Sequence, residues 1–377
     1  MRVLIAPDKF KGSLSSSQAA HAMARGFISG FPDAETIIRP LADGGEGTMD
    51  VLVEATGGRK VACEVTGPMG ERRQADLGLL GDGKTAVVEM AQASGLELIT
   101  EDKRDPKWSS TRGTGDLIRC ALDEGMREII VAIGGSATND GGAGMAQVLG
   151  ARFLDSEGFD LQAGGGCLRD LDKIDLTGLD PRIKEVRIGV ASDVANCLLG
   201  DEGASRVFAP QKGAGPEDVE LLEAGLSRLS EVTTKYIGRN LEENPGAGAA
   251  GGLGFGLMAF LGAEMRPGIE VVMEYTGFEK QMDGCRLVIT GEGRLDSQTA
   301  YGKTVIGVAR AAKRRHIPVV ALAGEVTKGA AELHRLGVSC ILSITPGPLS
   351  LADSKRGAGR LLEDCAREIA SLLFQYQ

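Results

Sequence analysis

The sequence predicts an α/β protein, and three observations support this class. Short aliphatic runs recur along the chain, and most are uninterrupted, which is typical of parallel strands buried on both faces. Amphipathic helical patterns fall between these runs. The chain has 377 residues, 55 glycines and 42% hydrophobic residues, which is enough for two domains. We therefore expect two α/β domains, one with a mostly parallel Rossmann- or flavodoxin-like sheet and an inserted one with a mixed sheet.

Each predicted strand ends in a cluster of glycine, aspartate or serine. The strands are residues 3–6, 36–38, 129–133, 188–191, 287–290, 319–322 and 340–344. The first helix is predicted after Ser15, because Ser15-Ser16-Ser17-Gln18 has the spacing of a capping box. An apolar stripe follows at helical spacing, formed by Ala20, Met23, Ala24, Phe27 and Ile28.

The stretch from residue 59 to residue 90 departs from this alternation. Residues 60–65 and 74–77 alternate in polarity, and Gly81-Asp82-Gly83 is a hairpin-turn sequence before the apolar run 85–88. An antiparallel patch therefore marks the start of the inserted domain. We predict one domain from residues 1–58 plus 281–377, and a second from residues 59–280.

Composition excludes several classes of protein. The net charge of −10 and the 4% aromatic content argue against binding to nucleic acid. The seven cysteines are scattered without a C-x-x-C pair, which predicts reduced thiols and a cytoplasmic location. No apolar run approaches the ~20 residues that span a bilayer, and the three histidines have no zinc-binding spacing.

Asp-Gly-Gly-x-Gly occurs twice, at residues 43–47 and 140–144, each time between a predicted strand and a predicted helix. Backbone amides at a helix N-terminus can hold a phosphate, and a neighbouring carboxylate can hold a divalent cation against it. The second copy ends the glycine-rich stretch 134–144, which also offers two hydroxyl groups. Two such loops predict a polyphosphate site.

Three further segments place charged groups where strands end. They are Asp8-Lys9-Phe10-Lys11-Gly12-Ser13, Ser192-Asp193 and Gly291-Glu292-Gly293-Arg294-Leu295-Asp296. In α/β folds, ligands bind at the carboxyl ends of the strands.

Two other segments resemble nucleotide-binding motifs but do not match them. Residues 297–304 lack the first glycine of a Walker A loop, and the G-x-G-x-x-G at 246–251 follows Asn-Pro and not a strand.

Taken together, these motifs resemble the bacterial glycerate kinase type 1 family. The matching segments are residues 6–14, 42–48, 134–142, 191–194, 208–213, 251–254 and 290–296. The resemblance implies ATP-dependent phosphorylation of D-glycerate, Mg²⁺, two α/β domains with the active site in the cleft between them, and 2-phosphoglycerate as the product.

Phosphoryl transfer requires positioning, charge neutralisation and a proton acceptor. Asp193 is the expected base, with Asp43 and Asp296 as rivals, and Lys9 and Arg294 complete the catalytic set. We expect substrate binding by Asp8, Lys11, Ser13, Asp43 and Ser192, ATP binding by Gly134, Gly135, Ser136, Thr138, Asn139, Gly141 and Gly142, and Mg²⁺ binding by Asp140, Glu292 and Asp296.

The alternatives are a kinase or phosphohydrolase for another small hydroxy acid, and a non-catalytic ligand-binding regulator. The expected partners are small molecules only, and the protein is expected to be a monomer or a homodimer.

Overall fold

The structure is a computed structural model that describes residues 1–296, 299 and 304–374. Its strands are β1 (Arg2–Ile5), β2 (Glu35–Ile38), β3 (Arg59–Thr66), β4 (Arg72–Leu79), β5 (Thr85–Glu89), β6 (Glu128–Ala132), β7 (Arg152–Leu154), β8 (Lys173–Asp175), β9 (Arg187–Ala191), β10 (Glu264–Arg266), β11 (Leu287–Leu295), β12 (Val319–Val326) and β13 (Cys340–Ser343). Its helices are α1 (Ser16–Gly30), α2 (Thr48–Thr56), α3 (Ala91–Ser94), α4 (Arg112–Asp123), α5 (Ala143–Val148), α6 (Ala204–Phe208), α7 (Pro216–Ile237), α8 (Ala249–Leu261), α9 (Gly268–Thr276), α10 (Phe278–Gln281), α11 (Thr304–Lys313) and α12 (Leu351–Phe374).

The chain packs as two compact units. The first unit comprises Met1–Asp43 and Ile269–Gln377, and the second comprises Gly44–Gly268. Helix α2 packs on β4 and β5, which places it with the second unit. The side chain of Ile269 lies against Gly307 of α11, which places α9 with the first. The predicted cuts at 58/59 and 280/281, and the predicted cleft, stay predictions.

The first unit contains a five-stranded parallel sheet in the order β13-β12-β11-β1-β2. Val3 and Ile5 pack with apolar residues of α1 and α12 on one face, and Ala321 and Ala323 pack with α11 on the other. Helices therefore cover both faces, as the uninterrupted aliphatic strands predicted.

The predicted capping box at the start of α1 is confirmed. The Ser15 hydroxyl accepts the Gln18 N–H at 3.1 Å, and the Gln18 side chain accepts the Ser15 N–H at 3.0 Å. Four members of the predicted apolar stripe are buried, but Ile28 is 43% exposed and lies outside it.

The second unit contains a six-stranded mixed sheet in the order β10-β9-β6-β5-β4-β3. Strands β3, β4 and β5 pair antiparallel, and the other pairs are parallel. The predicted antiparallel patch is therefore confirmed. Asp82 forms its turn, since its carboxylate accepts the N–H groups of Lys84 and Thr85. The separate two-stranded antiparallel sheet of β7 and β8 has no counterpart in the prediction.

One local prediction was wrong. Glu292 and Arg294 lie within β11, which continues to Leu295 beside β12, and not in a loop after it. Most of the Walker-like stretch 297–304 lies outside the described residues.

The expectation that all cysteines are free thiols was also wrong. Cys63 of β3 and Cys120 of α4 form a disulfide, with Cα atoms 6.7 Å apart. Their separation of 57 residues hid the pairing, which arises because α4 packs across β3. Within the described ranges, no helix is long and apolar enough to span a membrane.

Candidate functional site

The neighbouring strands β6 and β9 of the second unit carry the predicted phosphate-binding and catalytic groups at their carboxyl ends, and the adjacent strand β5 ends in an acid that was not predicted. Glu89 ends β5, the stretch 134–144 follows β6, and Ser192-Asp193 follows β9. Gly44 and Gly45 pack directly on this edge: a Cβ on Gly44 would lie 2.7 Å from the Ala191 carbonyl oxygen, and one on Gly134 would lie 2.6 Å from the Gly45 Cα. Only glycine permits such close backbone contact, so the two glycine-rich loops are adjacent.

Asp140 is fully buried inside its own loop. Its carboxylate accepts the Thr111 N–H at 2.8 Å, the Thr111 hydroxyl at 2.9 Å and the Ser110 hydroxyl at 3.2 Å. It also accepts the N–H groups of Gly142 and Gly144 at 3.2 and 3.3 Å. Burial raises the pKa of Asp140, and these donors oppose that rise. The carboxylate therefore holds the loop to the start of α4.

This bonding changes the expected role of the second half of the loop. The amides of Gly142 and Gly144, predicted to face phosphate, face Asp140 instead. A Cβ on Gly141 would lie 2.2 Å from the Leu229 side chain, and one on Gly142 would lie 3.1 Å from the Gly256 Cα. The glycines here allow close packing against α7 and α8.

The first half of the loop is different. Within the described part of the chain, the backbone N–H groups of Gly135 and Ser136 donate no hydrogen bond. Gly135 has a φ of 81°, and the nearest atom to its absent Cβ, on Ala91, is 3.6 Å away. Thr138 and Asn139 are fully buried, and Asn139 donates to the Ser205 hydroxyl at 3.1 Å. Gly135 and Ser136 therefore keep the donors that suit an anion.

Lys212 is a residue of this region that sequence reasoning did not select. Its ammonium group donates to the Ser136 hydroxyl oxygen at 2.7 Å and to the Thr138 carbonyl at 2.6 Å. Its side chain is 2% exposed, and burial lowers its pKa to about 7. The signal was present in the Pro210-Gln211-Lys212-Gly213 segment, but 74 residues separate Lys212 from Thr138.

Asp193 is half-buried in the irregular segment after β9. Its Oδ1 accepts the Gly268 N–H at 2.9 Å, which orients the carboxylate. The Ser192 hydroxyl accepts the Val194 N–H at 3.2 Å. The described residues 194–203 form no helix, and α6 begins only at Ala204, so the Asp193 carboxylate does not cap a helix.

The first Asp-Gly-Gly-x-Gly loop also binds a carboxylate of the protein. Buried Glu89 accepts the N–H groups of Gly47 and Met49, at 3.0 and 3.2 Å, where α2 begins. The N-terminal amides of α2 therefore serve an internal acid, as those of α5 serve Asp140.

The first unit holds an acidic group around Asp8. Asp8 is 4% exposed, its Oδ1 accepts the Lys9 N–H at 2.6 Å, and its Oδ2 accepts the Thr304 hydroxyl. Burial raises its pKa well above the ordinary value, and the charges of Asp43 and Glu292 add to that rise. The structure therefore brings these three predicted acids together.

The other predicted residues of the first unit differ in placement. Glu292 accepts the Thr299 hydroxyl at 2.9 Å, whereas Arg294 is exposed and pairs with Asp296 and Glu325 at 3.3 and 3.6 Å. The Ser13 hydroxyl donates to the Lys355 carbonyl at 2.6 Å, which attaches its loop to α12. Lys11 is exposed and Lys9 is half-buried.

The carboxylate oxygens of Asp8, Asp43 and Glu292 are the type of ligand that Mg²⁺ prefers in proteins. Among the residues that the structure describes, no three acidic, histidine or cysteine side chains are grouped as a metal site. Mg²⁺ commonly keeps several waters and takes one or two carboxylates plus substrate phosphates. The acids around Asp8 fit an ion bound in that way.

Comparison with known proteins adds independent evidence. The model of the glycerate kinase family matches residues 3–374. Glycerate kinase of Bacillus subtilis (strain 168) is 49% identical over 98% of this chain and 97% of its own length. Glycerate 2-kinase of Escherichia coli (strain K12) is 49% identical over 99% and 98%. The crystal structure of a putative glycerate kinase 2 from Salmonella typhimurium LT2 aligns with a TM-score of 0.89 at 47% identity, covering 100% of this chain and 99% of that one.

Proposed function

The chain belongs to the glycerate kinase family, and from this premise we propose that it phosphorylates D-glycerate with ATP, giving 2-phosphoglycerate and ADP. Family membership makes the protein a kinase. The nucleotide, the enantiomer and the phosphorylated oxygen belong to the proposal. The similarity to the Escherichia coli glycerate 2-kinase supports the choice of the 2-hydroxyl.

The observation that carries the proposal is the strand-end segment Gly134–Ser136. It combines two N–H groups that donate to no described group, a serine hydroxyl, and a buried lysine behind that hydroxyl. Backbone amides and a nearby positive charge are the groups that bind phosphate. We assign the phosphates of ATP to this half of the loop, and assign Thr138, Asn139, Gly141 and Gly142 to the packing that supports it.

Asp193 is the proposed base. In the reaction, the 2-hydroxyl oxygen of glycerate forms a bond to the γ-phosphorus, the bond from that phosphorus to the β–γ bridging oxygen breaks, and ADP leaves. The hydroxyl proton passes to the Asp193 carboxylate. The hydrogen bond from Gly268 holds that carboxylate in one orientation, and such positioning is part of what a general base requires.

We assign the binding of the glycerate carboxylate and of Mg²⁺ to residues of the first unit. Lys9 and Lys11 would bind the glycerate carboxylate, and Asp8, Asp43 and Glu292 would hold Mg²⁺, which supplies charge neutralisation when bound. Arg294 is retained as a candidate, although two acids already neutralise it. Asp296 is reassigned as its partner, and Asp140 is reassigned as the structural acid of the loop.

A coupled assay tests the proposal. Purified protein with MgATP and D-glycerate should form a product that enolase consumes directly. A requirement for phosphoglycerate mutase would show that the 3-hydroxyl is the acceptor. L-glycerate and lactate are the matched alternative acceptors. ATP hydrolysis without any acceptor would favour the alternative that the protein is a phosphohydrolase.

We also propose that the protein works in the cytoplasm, where ATP is available, as a monomer or a homodimer. Size-exclusion chromatography with light scattering at several protein concentrations distinguishes the two oligomeric states.

A further inference from the structure

We propose that Lys212 is a positioning residue for the nucleotide phosphates, acting through the Ser136 hydroxyl. The inference rests on the proposed nucleotide site at Gly134–Ser136. Lys212 ends the short turn Pro210–Lys212, and Gly213 follows it with a φ of 100°. That turn directs the lysine side chain beneath the loop.

The hydrogen bonds of Lys212 determine which hydrogen-bonding role the Ser136 hydroxyl can take. An ammonium group has donors only, so Ser136 must accept from it and keeps its own hydroxyl hydrogen for another acceptor. The Thr138 carbonyl takes a second lysine hydrogen, which fixes the ammonium group in place. A charged Lys212 therefore turns Ser136 into a hydrogen-bond donor beside the amides of Gly135 and Ser136.

A buried charge is costly unless it is compensated. In the described part of the chain, Lys212 forms no ion pair, and Asp140 is the charged group whose field raises its pKa. Arg104, whose carbonyl lies against Gly213, and the Lys107–Asp218 pair are the charged side chains of the adjoining segments. Among the residues that the structure describes, Thr138 Oγ1 and Asn139 Oδ1 of the same loop are buried without a hydrogen-bond partner. An anion bound at Gly135 and Ser136 would supply the missing negative charge.

The consequence is a pH-dependent affinity. Burial holds the pKa of Lys212 near 7 in the free protein. An anion favours the charged lysine, so binding raises that pKa, and affinity should fall as the pH rises through 7. A neutral amine can accept from Ser136, and the serine hydrogen then turns away from the ligand.

Calorimetric titration of the full-length protein with MgATP from pH 6 to pH 8.5 tests this inference. For the wild type, we expect affinity to fall about tenfold across this range, with proton uptake seen as a dependence of the heat on the buffer. Lys212→Met should bind at least ~10-fold more weakly at pH 6 and lose the proton uptake. Lys212→Arg should restore part of the affinity without the pH dependence. Ionisation of the nucleotide is common to all variants and cancels in the comparison.

Lys107→Met is the matched control, because Lys107 is a partly buried, ion-paired lysine of the same unit. It should bind like the wild type. Equal affinity and equal proton uptake in Lys212→Met and the wild type would overturn the inference while leaving the proposed function intact. Absence of MgATP binding by the wild type would overturn both. A lysine that only supports the fold would lower the melting temperature and leave the pH profile of binding unchanged.

Discussion

The side chains of the predicted site differ in how completely the protein itself occupies them with hydrogen bonds. Asp140 and Asp193 show the contrast. Five donor groups of the protein reach the carboxylate of Asp140, which is fully buried, whereas Asp193 is half-buried and accepts the Gly268 N–H. Both are aspartates after a buried strand, so the sequence pattern alone could not separate them. Their different hydrogen-bond environments do.

Asp193→Asn is expected to lower kcat by ~10²–10⁴-fold with little change in KM, because asparagine keeps the oxygen that accepts from Gly268 but takes no proton. Steady-state kinetics with both substrates measure this. Asp175→Asn, at a half-buried acid that ends β8 in the same unit, is the control and should retain full activity. If Asp193→Asn keeps the wild-type kcat, Asp43 becomes the next variant to examine, since Asp296 is paired with Arg294.

Asp8→Asn is expected to stabilise the fold at neutral pH and to reduce activity. Burial raises the pKa of folded Asp8 above the ordinary 3.8, so the folded state binds its proton more tightly than the unfolded state. The associated stability is complete below about pH 3.8 and is lost as the pH rises through the raised pKa. The variant should therefore gain roughly 1–2 kcal/mol at pH 7–8 and nothing at pH 3. Urea unfolding at both pH values measures this, and an equal gain at both would contradict it.

The helices and strands that the sequence predicted correctly depend on residues close in sequence, and those that it missed depend on tertiary contacts. The capping box of α1 and the turn at Asp82 depend on residues close in sequence, and both were predicted. The extension of β11 to Leu295 depends on pairing with β12, about 30 residues away. The contacts of Lys212 with the loop, and of Cys63 with Cys120, likewise depend on tertiary packing. Local sequence signals therefore located the strand ends and the loops. They did not identify the residues, distant in sequence, that contact these strand ends and loops.

The disulfide between Cys63 of β3 and Cys120 of α4 leads to a measurable prediction. A crosslink that closes a loop of this length stabilises a protein by about 2–4 kcal/mol. Cys63→Ser should therefore lower the free energy of unfolding by that amount under oxidising conditions and have little effect in strong reductant. Exposed Cys197 provides the control variant, Cys197→Ser. In denaturant without reductant, the wild type should titrate five thiols out of seven cysteines, and seven thiols would disprove the link.

The order of the chain determines which part can fold by itself. The main core of the second unit, and every strand of its six-stranded sheet, lie between residues 59 and 266. In the first unit, β1 pairs with β11, so Met1–Asp43 needs the C-terminal segment to complete its sheet. The second unit is thus a continuous insertion, and the first is discontinuous.

A fragment of residues 44–268 is therefore expected to fold alone and to unfold in one cooperative transition. It retains the β5, β6 and β9 strand ends, the contacts of Asp140, and Lys212, so it should bind MgATP. It lacks Asp8 and Glu292, and we expect no phosphorylation of D-glycerate. Circular dichroism during urea unfolding and calorimetric titration measure the two properties. Residues 1–43 alone are the control and should be unstructured, because β1 and β2 would form an isolated parallel pair with too little buried surface. A fragment 44–268 without a cooperative transition would show that the second unit depends on the first for its stability.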